Sequence, residues 1–392
     1  MKPNPFFPEI HGRFAFGCMR LPMKGEDVDL AQFSGMIKTF FAAGFNYFDT
    51  AHGYIGGKSE LALRECLTSV YPRSSYILTN KLSKGFFNKE EDILPLFQTQ
   101  LECCGVDYFD FYLMHALSEN SFEHYQKCRA FEIVSQLKKE GKIRHIGISF
   151  HDRAEVLDKI LTARPEIEIV QIQFNYIDYE DESVESKKCY EVCLKHNKPI
   201  LVMEPVKGGN LVNLPPDAQK LIDRANAVQG TSYSNAAFAL RFVTNFPQIA
   251  CVLSGMSTQE QMEDNVSFMK EDLPLTEEEH KAIKGVVMAF KKKRTIACTS
   301  CHYCVLESHC PKNIPIPEIF SCYNAKVLFN DWNQNMYYFI QTKNRGKASD
   351  CIKCGACERV CPQHLFIRDL LVEARHMFEK ELDEAKNSIE KK

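Results

Sequence analysis

At 392 residues the chain is long enough for one large domain and a smaller companion. Its 45% hydrophobic and 25% charged content is that of a globular protein, and a net charge of −3 offers no footing for nucleic acid or an anionic membrane. The N-terminus, Met1-Lys2-Pro3-Asn4-Pro5, lacks the apolar core of a signal peptide, and no run reaches transmembrane length, so a cytoplasmic location is expected.

Taken in order, the first strand-like run is Arg13–Arg20. Leu30, Phe33, Ile37, Phe40 and Phe41 then fall on one helical face, with Gly44 as the stop. Asn46–Asp49 is the second strand. The strand–helix unit repeats through Tyr76–Lys81, Tyr108–His115, Ile143–Ser149, Ile167–Phe174, Pro199–Glu204 and Ile249–Gly255, eight strands in all. Most are continuous apolar runs, as strands buried on both faces must be. Eight alternating units ending near Met269 predict an α/β fold, a (β/α)8 TIM barrel. A doubly wound sheet competes less well, because no glycine-rich phosphate loop follows an early strand. The expected division is a barrel over 1–274, a connecting helix over 275–297 and a cysteine-rich domain over 298–392.

Three strands end on titratable residues. Asp49 closes the second and leads through His52 to Tyr54; Lys81 closes the third and His115 the fourth. The C-terminal ends of neighbouring strands form one mouth, where a barrel carries its chemistry. A lone lysine or histidine at such a place is usually a solvated terminus, and Asp49 could simply cap the next helix. Four groups on consecutive strands suit carbonyl reduction. A tyrosine with a pKa of about 10 is a weak acid at neutral pH, and Lys81 beside Tyr54 is expected to lower it by stabilising the phenolate. Asp49 would orient Lys81, and His115 would hold the substrate carbonyl.

This constellation resembles the aldo-keto reductases over roughly residues 14–270. The residues that carry it are Phe48-Asp49-Thr50-Ala51 with Tyr54, Thr79-Asn80-Lys81, Leu113-Met114-His115 and Gly141–Ser149. The resemblance implies a catalytic tetrad of Asp49, Tyr54, Lys81 and His115, with Tyr54 as general acid and NAD(P)H as cofactor. It implies that Ser149 and Gln171 bind the carboxamide. The loop Glu204, Pro205, Val206, Lys207, Gly208, Gly209 would pass near the pyrophosphate. Gly255, Ser257, Gln261, Asp264 and Asn265 would lie in the adenosine-phosphate segment. The sequence departs from the family at Phe150, where Asn is usual, and at Met203, where a Tyr commonly stacks on the nicotinamide. Gly255 and Gln261 replace the Lys and Arg that usually grip the 2′-phosphate, which weighs against a preference for NADPH.

Nine of the 17 cysteines fall between Cys298 and Cys361. Cys298, Cys301 and Cys304 precede Cys310-Pro311; Cys351, Cys354 and Cys357 precede Cys361-Pro362. Two CxxCxxC…CP runs are a specific signal for two [4Fe–4S] clusters, with the fourth ligand crossing from the other run as in bacterial-type ferredoxins. One cluster is assigned Cys298, Cys301, Cys304 and Cys361, the other Cys351, Cys354, Cys357 and Cys310. Zinc is the alternative, opposed by the third regularly spaced cysteine and the CP endings. His302 and Cys322 read as bystanders. Helical patterns over Ile316–Leu328, Trp332–Ile340 and the tail through Leu370, Leu371, Ala374, Phe378 and Leu382 make the domain a mostly helical ferredoxin-like module.

The expected protein is an oxidoreductase acting on a small carbonyl or alcohol, with iron–sulfur clusters beside the barrel and a redox protein as a further partner. The alternatives are a barrel binding flavin in place of nicotinamide, or an electron carrier or redox sensor with a non-catalytic barrel.

Overall fold

A computed structural model of the chain describes residues 3–181, 184–329 and 334–379. Among the described residues ten strands are formed: β1 (Phe14–Gly17), β2 (Met23–Lys24), β3 (Asp27–Val28), β4 (Tyr47–Asp49), β5 (Ile77–Leu82), β6 (Phe109–Leu117), β7 (Ile143–Phe150), β8 (Ile169–Gln173), β9 (Ile200–Met203) and β10 (Ile249–Ser254). Strands β2 and β3 make a small hairpin. The other eight close into a parallel barrel in the order β1-β10-β9-β8-β7-β6-β5-β4, with β1 pairing β4 to shut the ring. The (β/α)8 barrel expected from the alternating pattern is therefore the fold of this region.

The chain divides into two compact units, Met1–Val206 with Tyr233–Glu277, and Lys207–Ser232 with Glu278–Lys392. The second unit thus takes in a stretch, Lys207–Ser232, from within the barrel repeat.

In the first unit, period-two alternation splits each barrel strand between two cores. Tyr47, Ile77, Phe111, Leu113, Ile169, Leu201 and Leu253 fill the interior with Phe7 and Ile10. Phe16, Phe48, Leu78, Tyr112, Ile148 and Val202 pack in a separate outer layer with apolar helix residues. This is why the runs read as continuously apolar. The helix Leu30–Ala42 buries Phe33, Met36, Ile37 and Phe40, with Asp29 capping it by accepting from Gln32 N at 3.0 Å. Leu30, expected on the buried face, is exposed because it is the first helical residue. Gly105 and Gly141, at φ 65° and 74°, end their helices in the left-handed conformation.

The second unit is helical. Helices Ile316–Phe329, Gln334–Thr342 and Ile367–Phe378 surround a core of Ile314, Ile316, Ile319, Phe320, Tyr338, Ile367, Leu371 and Phe378. Tyr338 stacks on Phe378 with centroids 4.7 Å apart. Helix Glu277–Lys292 lies against helix Pro216–Gln229, so closely that a Cβ on Gly285 would come within 2.7 Å of Leu221. Trp332 and Leu382, expected in helices, lie outside the described residues.

Candidate active site and cysteine cavities

The barrel register brings the four expected groups together. Asp49 pairs with Thr79 and Lys81 with Leu113, so Asp49, Lys81 and His115 stand on the same alternating set as Tyr47, Thr79 and Leu113. That set points into the barrel. Lys81 is fully buried, and its Nζ donates to Asp49 Oδ1 at 2.5 Å and to the Thr50 carbonyl at 2.8 Å. The same Nζ lies 4.8 Å from the centroid of the Tyr54 ring. Tyr54 meets His115 edge to face at 5.8 Å.

His115 is locked from behind. Ser83 Oγ lies 2.6 Å from its Nδ1, and the Tyr125 hydroxyl donates to the His115 carbonyl at 2.9 Å. Directly after it the β6–β7 register shifts, and Ala116 takes φ 53°. A bulge of this kind re-aims the side chains at a strand end.

Burial, with Lys81 and His151 nearby, holds the His115 imidazole well below its usual pKa. It is a neutral donor or acceptor at pH 7, suited to a carbonyl oxygen. Burial also lowers Lys81, against the pull of Asp49, and raises Asp49, against the pull of Lys81.

For Tyr54 the structure corrects an expectation. Burial first, then Asp49 and Glu204, push its pKa well above 10 instead of lowering it. The reason is geometric: the Lys81 ammonium sits over the ring face, and its charge is matched by Asp49. The hydroxyl is consequently kept protonated, as a proton donor must be before substrate arrives.

A polar chain supports this arrangement. Fully buried Glu60 lies 2.7 Å from His52 Nδ1 and accepts from Asn80 Nδ2 at 2.7 Å. Gln100 bridges Asn80 Oδ1 and the Lys81 carbonyl and accepts from Tyr112. Neither Glu60 nor Gln100 was expected at the site, because a polar residue on a helix carries no sign that it faces a strand.

The expected nicotinamide groups also adjoin one another. Ser149 and Gln171 pair across β7 and β8, both almost fully buried. Ser149 Oγ accepts from Ala116 N at 2.7 Å, and Gln171 Oε1 is buried without a hydrogen-bond partner. An orphaned acceptor there fits an amide N–H of a carboxamide.

Phe150 is buried at the end of β7, and Met203 is half-buried at the end of β9. Gly255 is exposed; Ser257 N donates to Gln261 Oε1, and Asn265 Nδ2 donates to the Gln261 carbonyl. Asp264 is already engaged, accepting from Ser234 Oγ at 2.7 Å. Arg20 was not anticipated: its carbonyl accepts from Ser257 Oγ, and its guanidinium lies 4.0 Å from Glu204. The expected pyrophosphate loop is divided: Glu204, Pro205 and Val206 belong to the barrel unit, Lys207, Gly208 and Gly209 to the helical one.

In the helical unit the eight cysteines sort into two cavities as assigned from spacing. Cys298, Cys301, Cys304 and Cys361 line one; Cys310, Cys351, Cys354 and Cys357 line the other. Among the described residues no three His, Cys, Asp or Glu converge on a point as a single ion requires; the sulfurs instead surround a volume.

The two loops share one backbone. Ser300 and His302 are left-handed, as are Lys353 and Gly355; Asn313 and His364 repeat the turn after each Cys-Pro. Ser300 N donates to Cys298 Sγ and Lys353 N to Cys351 Sγ, each at 3.4 Å. Hydrogen bonds to sulfur of this kind tune iron–sulfur sites. Cys322 and His302 differ: Cys322 lies in neither lining, whereas His302 borders the first cavity.

These features agree with what known proteins show. The sequence profile of the Aldo/keto reductase family matches residues 13–288, and that of a 4Fe-4S dicluster domain matches residues 297–366. The chain belongs to the aldo/keto reductase family, a family of oxidoreductases, and carries an iron–sulfur domain in the same polypeptide.

Among its relatives is an Escherichia coli NADH-specific methylglyoxal reductase, 24% identical over 269 residues, covering 59% of this chain and 80% of that protein. An Arabidopsis thaliana L-galactose dehydrogenase is 26% identical over 251 residues, covering 60% and 77%. The solved aldo-keto reductase AKR11C1 from Bacillus halodurans superposes with TM-score 0.56 at 24% identity, covering 70% of this chain and 91% of its own. A Klebsiella pneumoniae aldo-keto reductase in complex with NADPH gives 0.56 at 18% identity, covering 69% and 89%. No helix among the described residues is long and apolar enough to cross a membrane.

Proposed function

We propose that this protein interconverts a small carbonyl compound and its alcohol with NAD(P)H. The observation that carries the reading is Lys81, wholly buried, bonded to Asp49 and lying over the Tyr54 ring. Tyr54 gives its hydroxyl proton to the carbonyl oxygen in reduction and recovers it in oxidation. Asp49 holds Lys81 in place, and Lys81 in turn fixes the Tyr54 ring from its face. Neutral His115 hydrogen-bonds the substrate oxygen and fixes its direction. Nicotinamide, when bound, supplies or accepts the hydride; Ser149 and Gln171 would hold its carboxamide.

We further infer that each cysteine cavity holds a [4Fe–4S] cluster and that the pair exchanges single electrons with a redox protein. The shared backbone of the two loops and their matching N–H to sulfur bonds support this.

Tyr54→Phe tests the barrel chemistry. Turnover should fall roughly 10²–10⁴-fold, the usual worth of general acid catalysis, while NAD(P)H binding followed by fluorescence stays near wild type. Near-normal turnover would remove Tyr54 from the mechanism.

A further inference from the structure

The two cysteine cavities face different surroundings, although Ile316 lines both. The first is covered within its own unit. Asn210 Nδ2 donates to the Cys298 carbonyl at 3.2 Å, and Gly208 packs so tightly that a Cβ there would stand 2.4 Å from the Thr299 carbonyl. Cys304 and Cys361 are buried. In the second, Cys354 is exposed, Cys310 and Cys351 are half-buried, and only Cys357 is buried. Beside Cys354 stands Ile352, 57% exposed and lining the same cavity.

Basic side chains ring this opening. Lys312 and Arg368 line the cavity, and Lys353 lies between Cys351 and Cys354; all three are exposed. Exposed Lys347 follows Gly346, whose N donates to the Asn313 carbonyl at 3.1 Å, one residue from Lys312. Arg359, also exposed, follows the third cysteine by two residues. Of the acids here, Glu358 pairs with Arg368 at 2.8 Å, Asp350 and Glu379 accept from the backbone N of Lys347 and Ser349, and Asp369 is exposed. The cavity lining itself carries Lys312 and Arg368 and no carboxylate, which makes its immediate edge positive on a chain whose net charge is −3. An exposed apolar centre with a charged rim is the anatomy of a transient protein interface, in which charge steers and orients the encounter.

We propose that the face formed by Lys312, Lys347, Ile352, Lys353 and Arg368 docks an acidic one-electron carrier protein. The proposal rests on the reading that the adjoining cysteines hold a cluster. A carrier whose own redox centre is surrounded by carboxylates would meet this rim with complementary charge. The competing account is that the cations only offset the charge of the thiolates and the iron they bind.

The test uses full-length holoprotein, purified anaerobically, with an acidic two-cluster ferredoxin as probe and the basic protein cytochrome c as control. Ferredoxin should bind in calorimetry, weaken steeply with added salt, and lose at least tenfold in affinity to the double variant Lys347→Glu, Lys353→Glu. Cytochrome c should not bind. Equal affinity of variant and wild type overturns the proposal. So does a variant that alters only the reduction potential, or self-association of the chain abolished by the same substitutions, which would mark a second copy as the occupant. Iron and sulfide are counted on every sample. Absence of iron sinks the cluster reading itself, whereas full iron without ferredoxin binding sinks the docking surface alone.

Discussion

Residue chemistry at the barrel mouth is governed by what burial does to each charge. Asp49 and Lys81 are each held against desolvation by the other, and removing one partner of such a pair leaves an uncompensated buried charge, costing about 3–5 kcal/mol. Lys81→Met and Asp49→Asn should therefore each destabilise the barrel by somewhat less than this, because the remaining partner, its pKa already displaced toward the neutral form, can lose its charge. Urea unfolding of the two variants, compared with wild type, checks both losses. Cofactor choice is a residue-scale question as well. Gly255 and Gln261 offer no cation to a 2′-phosphate, and the cation nearby, Arg20, lies beside Glu204. NADPH should be preferred over NADH by less than about tenfold, or 1.4 kcal/mol, in steady-state kinetics. If Arg20 instead grips the phosphate, a larger preference will appear and Arg20→Ala will abolish it.

At the scale of elements, the register of the strands assembles the site, and one residue of slip would turn every group outward. Gly147 shows how tightly that register is packed. A Cβ on it would stand 2.3 Å from Leu113 Cδ2, 2.7 Å from Ile169 Cγ2 and 2.9 Å from the Ile169 carbonyl. Gly147→Ala should therefore cost about 1–3 kcal/mol by overpacking. It should also lower turnover, since Ser149 lies two residues on and both neighbouring strands must shift. Calorimetric melting together with kcat would report the two effects separately. The strands, and Asp49, Lys81 and His115 at or near their ends, were legible from apolar runs ending on titratable residues. The bulge after His115 was not, because Ala116 is an ordinary residue in a strand-like run and only pairing with β7 reveals the shift. Glu60 and Gln100 escaped for a related reason: their partners come from strands distant in sequence.

Over the whole molecule, charge pairs far from the mouth set its response to pH. At the other end of the barrel His145 lies between Glu168, at 3.0 Å, and Glu9, at 2.8 Å, and Glu168 also pairs with Lys138. Burial opposes charge on both groups, yet the pairing prevails: His145 is raised above 6.5, and Glu168 falls from 4.5 to about 2. The raised histidine stabilises the fold fully below pH 6.5 and loses that contribution as pH rises through its folded pKa. The lowered glutamate contributes fully above 4.5 and loses it as pH falls toward about 2. Their joint contribution is greatest between those limits. Glu168→Gln should thus cost about 1–2 kcal/mol near pH 5.5, an amount reduced by the partial exposure of the pair. Denaturant midpoints across pH should show the deficit shrinking on both sides; a constant deficit would mean that packing, not charge, is lost.

The sequence by itself determined the parts whose signals are local. Alternating apolar runs and helical faces specify a barrel because each element must bury its own surface, and CxxCxxC…CP runs specify cluster loops because one turn of chain must bring three sulfurs together. Tertiary structure decided what depends on groups meeting across the fold. It put the Lys81 ammonium over the Tyr54 ring, where burial and neighbouring carboxylates keep the tyrosine protonated. It assigned Lys207–Ser232 to the helical unit, although the strand–helix pattern runs through that stretch unbroken. It also left Cys354 exposed but Cys301 half-buried, and buried Cys361 but not Cys310, although each pair occupies the same motif position. Local sequence cannot carry such differences, because desolvation and Coulomb energies depend on distance in space and not on separation along the chain.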